Sequence, residues 1–111
     1  MTRDLELVQG TLDLLVLKAL TWGPRHGYAV ARWVGDATDD DLQIEEGALY
    51  TSLHRMERRG WIEAEWGLSE NNRKAKYYQL TGTGRRQLRA QTQSWTRYAQ
   101  AVFKVLAMAE G

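Results

Sequence analysis

The 111 residues include no cysteine, which excludes a disulfide scaffold, a thiolate metal site and a cysteine nucleophile. Histidine occurs only twice, so a zinc site would have to be completed by carboxylates. One proline and ten glycines are too few for a disordered or collagen-like chain. Long apolar runs are also missing: Leu14-Leu15-Val16-Leu17 stops at Lys18, and nothing approaches the ~18 residues of a membrane span. Near the N-terminus, Asp4 and Glu6 stand where a secretory leader has basic residues, and no leader-like apolar core follows. The expectation is a cytoplasmic protein with the length of one domain. Net charge is only +1, so bulk charge says little about partners. Its placement says more. Residues 1–46 carry a net charge of −5 and residues 47–111 a net charge of +6. Such asymmetry points toward nucleic-acid or membrane contact.

What is present is apolar periodicity. Over 11–22, Leu12, Leu15, Val16, Ala19 and Leu20 follow helical spacing, with Leu14 and Leu17 off the stripe. This first helix is apolar nearly all round and is expected to pack on two sides, ending at Gly23-Pro24. A second helix is predicted over 27–37, with Val30, Ala31 and Val34 inward, followed by the acidic turn Asp39-Asp40-Asp41. A third is predicted over 45–59, with Leu49, Leu53 and Met56 buried and Gly60 after its end. Glu45 and Glu46 in its first turn and Arg58 and Arg59 in its last suit the helix dipole. Residues 61–66 alternate from Ile62 onward and read as a strand. Asn71-Asn72 supplies turn formers, and residues 74–80 return as a second strand of a β-hairpin.

Thr81 can N-cap a final helix. Leu88, Trp95, Val102 and Ala109 recur every seven residues, with Tyr98 and Val105 at the complementary position and Gln91 polar there. A helix of ~26 residues is ~39 Å long, against a radius of gyration of ~13 Å for a globule of this size. The far end should therefore lie outside its own small body and be covered by a second copy of the chain. The interface residues expected are Leu15, Leu88, Trp95, Tyr98, Val102, Phe103 and Leu106.

Helix, helix, helix, hairpin, long helix is a mainly α fold with a small β-hairpin. Its order is that of a winged helix-turn-helix over 1–80, with a C-terminal dimerisation helix over 81–111. In helix-turn-helix proteins the second helix of the motif enters the major groove. Here that is the third helix, whose outer face carries Gly47, Tyr50, Thr51, His54 and Arg55; Arg55 has the chemistry to pair with a guanine edge. The hairpin tip carries Arg73, Lys74 and Lys76 against one acid, Glu70, which suits phosphate or minor-groove contact. The start of the second helix presents free N–H groups, so His26 and Tyr28, with Arg25, form a candidate phosphate contact. The plain alternatives are an ordinary solvated helix face, a solvated turn, a histidine cap and a packing tyrosine.

The ordered set of short matches resembles the PadR family of winged-helix transcriptional regulators. It comprises Gly10-Thr11-Leu12, the stretch from Leu20 to His26-Gly27-Tyr28, Gly47-Ala48-Leu49-Tyr50, the run from Leu53 to Ile62, Tyr77-Tyr78-Gln79-Leu80-Thr81 and Gly84-Arg85. The resemblance spans roughly residues 8 to 89. It implies a homodimer, usually a repressor, on a pseudo-palindromic operator near its own or a neighbouring promoter. The single C-terminal helix is similar to the smaller subgroup of that family. Some small PadR-like proteins stack planar drugs or phenolics in an aromatic pocket at the dimer centre. Trp95 and Tyr98 are similar to that arrangement and make a candidate pocket for a planar aromatic inducer, with dimer packing as the plainer role.

Other function classes fare worse. Gly82-Thr83-Gly84 precedes Arg85-Arg86 without the lysine or spacing of a phosphate loop. His26 and His54 lack a nucleophile-elbow motif, and the aspartate triplet lacks calcium-loop spacing. No catalytic residue, metal or cofactor is expected. The remaining alternative is a winged-helix dimer that binds protein or ligand without reading DNA. The acids Asp36, Asp39, Asp40, Asp41, Glu45 and Glu46 favour it slightly, because they precede the reading helix and would repel phosphate.

Overall fold

The structure is a computed structural model and describes residues 10–110. Asp4 and Glu6, on which the leader argument rests, lie outside them. In chain order the elements are α1 (Thr11–Ala19), β1 (Arg25–His26), α2 (Gly27–Ala37), α3 (Glu46–Arg58), β2 (Ile62–Leu68), β3 (Lys74–Leu80) and α4 (Gly82–Leu106). Among the described residues no helix is long and apolar enough to cross a membrane.

Helix α1 is the centre of the body, touching α2, α3 and α4. Val16, Leu17 and Ala19 are fully buried and Leu20 almost so. Leu17, off the single stripe, is buried because neighbours press on more than one side. The helix ends three residues earlier than its pattern suggests. The Arg25 Nε donates to the Ala19 carbonyl at 2.8 Å, satisfying one of the carbonyls that a helix end leaves open.

The sheet has three antiparallel strands in the order β1-β3-β2. The hairpin pairs Ile62 with Leu80 and Leu68 with Lys74, so β2 runs two residues past its alternating segment. Strand β1 is only Arg25 and His26, paired with Tyr78 and Tyr77. Two residues are too short for a period-two pattern, which is why the sequence shows only a hairpin. Ile62, Tyr78 and Leu80 close the core with Val30 of α2 and Leu49, Leu53 and Met56 of α3.

The start of α4 belongs to this body. Thr81 Oγ1 accepts from the Gly84 N–H at 3.0 Å, the N-cap expected from sequence. Gly84 is pressed on the wing base: a Cβ there would lie 1.9 Å from the Trp61 carbonyl oxygen, so only glycine fits. Leu88 packs against the core of its own chain. Beyond it the helix departs. From Thr92 to Leu106 every residue except Ala99 is exposed, and the long axis of the molecule reaches 60 Å.

Candidate nucleic-acid interface

Helix α3 lies with Leu49, Ser52, Leu53 and Met56 buried, which leaves Gly47, Tyr50, Thr51 and His54 on the solvent side. Its position is set from two flanks. On one, the ring of Tyr50 lies over Gly27, where an added Cβ would stand 2.8 Å from the Tyr50 hydroxyl. Lys76 Nζ of β3 meets Glu57 Oε1 of α3 at 3.3 Å on the same side. On the other, Asp13 of α1 accepts from Ser52 Oγ at 2.6 Å and from the Arg55 guanidinium. Hydrogen bonding to Asp13 holds the Arg55 pKa above its ordinary value, so the guanidinium stays charged within the pair.

The start of α2 is also partly occupied. His26 Nδ1 accepts from the Ala29 N–H at 3.1 Å, which makes His26 the helix cap. Its ring stands edge-on to Tyr77, 5.4 Å between centroids. Tyr28 is exposed, and its hydroxyl accepts from Arg32 Nη1 at 3.2 Å. Arg25 is held by the Ala19 carbonyl and lies away from a phosphate role.

At the wing tip Asn72 has φ 58°, closing the turn, and the Ser69 N–H donates to the Arg73 carbonyl at 2.8 Å. Arg73, Lys74 and Glu70 are exposed. Lys74 Nζ sits 5.2 Å from the centre of the Trp66 ring, a cation–π contact that stiffens the tip. Between α3, the wing and the start of α2 runs an open groove of about 740 Å³, walled by Tyr28, Tyr50, His54 and Trp66 and edged by Arg73 and Lys74. Asp36 lies in the last turn of α2 and Asp39 to Asp41 just beyond it, about 16 Å from His26 along an eleven-residue helix. They therefore do not line this groove. Trp66, absent from the residues singled out by sequence, is the main addition. Its alternation with Ile62 and Ala64 places it on their face, but the wing carries it beyond the core.

Of the seven residues expected at an interface between copies, the exposed second half of α4 carries five, Trp95, Tyr98, Val102, Phe103 and Leu106. Trp95 is 44 % exposed and Val102 38 %, while Tyr98, Phe103 and Leu106 are each more than 60 % exposed. Leu15 of α1 is half-buried.

Comparison with known proteins agrees with this geometry. The sequence profile described as the transcriptional regulator PadR-like family matches residues 16–90. A transcriptional regulator from Clostridium thermocellum superimposes with a TM-score of 0.79 at 26 % identity, covering 86 % of this chain and 90 % of that one. A PadR family transcriptional regulator from Eggerthella lenta gives 0.77 at 33 % identity over 91 % of this chain and 86 % of its own. A PadR-like regulator from Bacillus cereus gives 0.77 at 27 % identity over 91 % and 96 %.

Proposed function

The chain belongs to the PadR-like family of transcriptional regulators, and from that premise we propose that it is a homodimeric repressor of a pseudo-palindromic operator. It is thus a DNA-binding regulator, not an enzyme, and it works where the DNA is, in the cytoplasm. The observation that carries this reading is the groove between α3 and the wing, walled by Tyr50 and His54 and edged by Arg73 and Lys74. Gly47, Tyr50, Thr51 and His54 face the major groove and read base edges. Arg73 and Lys74 follow the phosphates, with Tyr28 and the His26 cap at the near strand, while Lys76 is held by Glu57 behind them. Two copies joined along the exposed half of α4 present two reading helices to half-sites about one DNA turn apart.

The test is a titration of duplex binding against salt. A DNA reader loses affinity steeply as salt rises, with about 0.9 log units per log unit of salt for each phosphate neutralised. A flat dependence removes the DNA reading and leaves a module that binds protein. Arg73→Ala, at the exposed wing tip, is expected to flatten the slope by about one unit without changing sequence preference.

A planar aromatic small molecule is the proposed inducer class. It stacks between Trp95 and its symmetry mate, with Tyr98 one turn on. It releases DNA only by binding the dimer that cannot bind DNA more tightly, since equal affinity shifts nothing. Fluorescence titration of planar phenolics into wild type and Trp95→Phe tests it; equal affinity in both assigns Trp95 to dimer packing alone.

A further inference from the structure

Arg55 lies at the edge of the exposed face of α3, four residues after Thr51 and next to His54, yet its guanidinium turns toward α1. There it meets Asp13, whose side chain is 15 % exposed, while that of Arg55 is 34 % exposed. The same Asp13 oxygen takes the hydroxyl of Ser52, itself 1 % exposed. One carboxylate of α1 thus grips two side chains of α3, three residues apart. The consequence for the outer face is electrostatic. Between Gly47 and His54 that face carries no charged side chain, and the cation that follows is neutralised by its partner.

Resting on the DNA reading above, we propose that Asp13 is a positioning residue for sequence recognition, holding Arg55 away from phosphate and fixing the roll of α3. Charge contacts with phosphate strengthen binding to every sequence alike, whereas base contacts discriminate. A reading helix whose central face is neutral and whose flanking arginine is held back favours discrimination over general affinity. Ser52 adds the mechanical part: its bond to Asp13 resists rotation of α3 about its own axis, and rotation would swing Tyr50, Thr51 and His54 off the base edges together.

The test compares wild type, Asp13→Asn, Arg55→Gln and the double variant on a mixed-sequence duplex and on a duplex selected by the wild type from a random pool. Asp13→Asn keeps the shape and an acceptor for Ser52 but releases Arg55. The expected result is a salt slope steeper by about one unit on the mixed duplex. The ratio of selected to mixed affinity should fall about tenfold, the scale of one mismatched base pair. Arg55→Gln alone should leave the slope as in wild type, and the double variant should restore it. Circular dichroism keeps an unfolded variant from counting. An unchanged slope in folded Asp13→Asn, or a flatter slope in Arg55→Gln, overturns the inference while leaving the DNA reading in place. Wild type with no salt-dependent duplex binding overturns both.

Discussion

At the residue scale, Tyr78 shows how position turns an ordinary side chain into a pH-sensitive one. It is 2 % exposed at the heart of the sheet. Burial is the main cause that raises its pKa; Glu57 and Tyr50 push the same way, and Lys76 opposes them. The neutral phenol is therefore favoured in the folded state. Below the unfolded value of about 10 its contribution is intact, and it is lost as pH rises from there through the folded value. Denaturant midpoints measured from pH 7 to strongly alkaline pH should fall above about 10, and less steeply in Tyr78→Phe. At neutral pH that variant should stay within about 1 kcal/mol of wild type, because the phenyl ring keeps its packing and its place beneath Lys76 Nζ, 5.6 Å from the ring centre. Arg55 teaches the complementary lesson. Helical spacing alone puts it on the edge of the outer face, but Asp13, 42 positions earlier, decides where its charge goes.

At the element scale, the ends of helices are governed by single polar groups. Thr81 is legible as a cap because its residue type and place suit an N-terminus, and its hydroxyl serves twice. It accepts from the Gly84 N–H at 3.0 Å and donates to the Gly60 carbonyl at 2.6 Å, tying α4 to the end of α3. Thr81→Ala should cost about 1–2 kcal/mol in urea unfolding, with Thr81→Ser recovering most of it. The second helix was readable to the residue, since apolar spacing and the acidic turn bound it on both sides. The end of α1 was not, because the group that satisfies it is the Arg25 side chain arriving from β1. That strand exists only as a pairing with β3, and a two-residue pairing leaves no pattern in the chain that forms it.

At the scale of the whole molecule, α4 carries the apolar surface that the body leaves uncovered. Among the described residues, Trp95, Val102 and Phe103 stand apart from the core cluster. In the proposed dimer Val102 lies within the seam, and Val102→Asp puts two unpaired carboxylates there, each costing several kcal/mol if left buried. Sedimentation should show wild type as a dimer at micromolar concentration and the variant as a monomer. Circular dichroism should be unchanged, because Val102 is 38 % exposed within a single chain. A variant that still sediments as a dimer places the seam elsewhere. Because α1 touches both α3 and α4, a shift in how two α4 helices cross in the proposed dimer would reach α3 through a single packed element.

Local chemistry in the sequence determined the order of the four helices and the hairpin, the buried stripes of α2 and α3, and the length of α4. Each of these follows from spacing or from one residue type at one place, and such signals survive in a chain read end to end. Tertiary structure decided which cations remain available to a partner. Asp13 holds Arg55, Glu57 meets Lys76, and the Ala19 carbonyl takes Arg25. It also decided that Trp66 faces the groove and that Leu88 serves its own core. A charged group pairs with whatever the fold brings within a few ångströms. That partner sits 42 residues away for Arg55 and 19 for Lys76, beyond the reach of any local pattern.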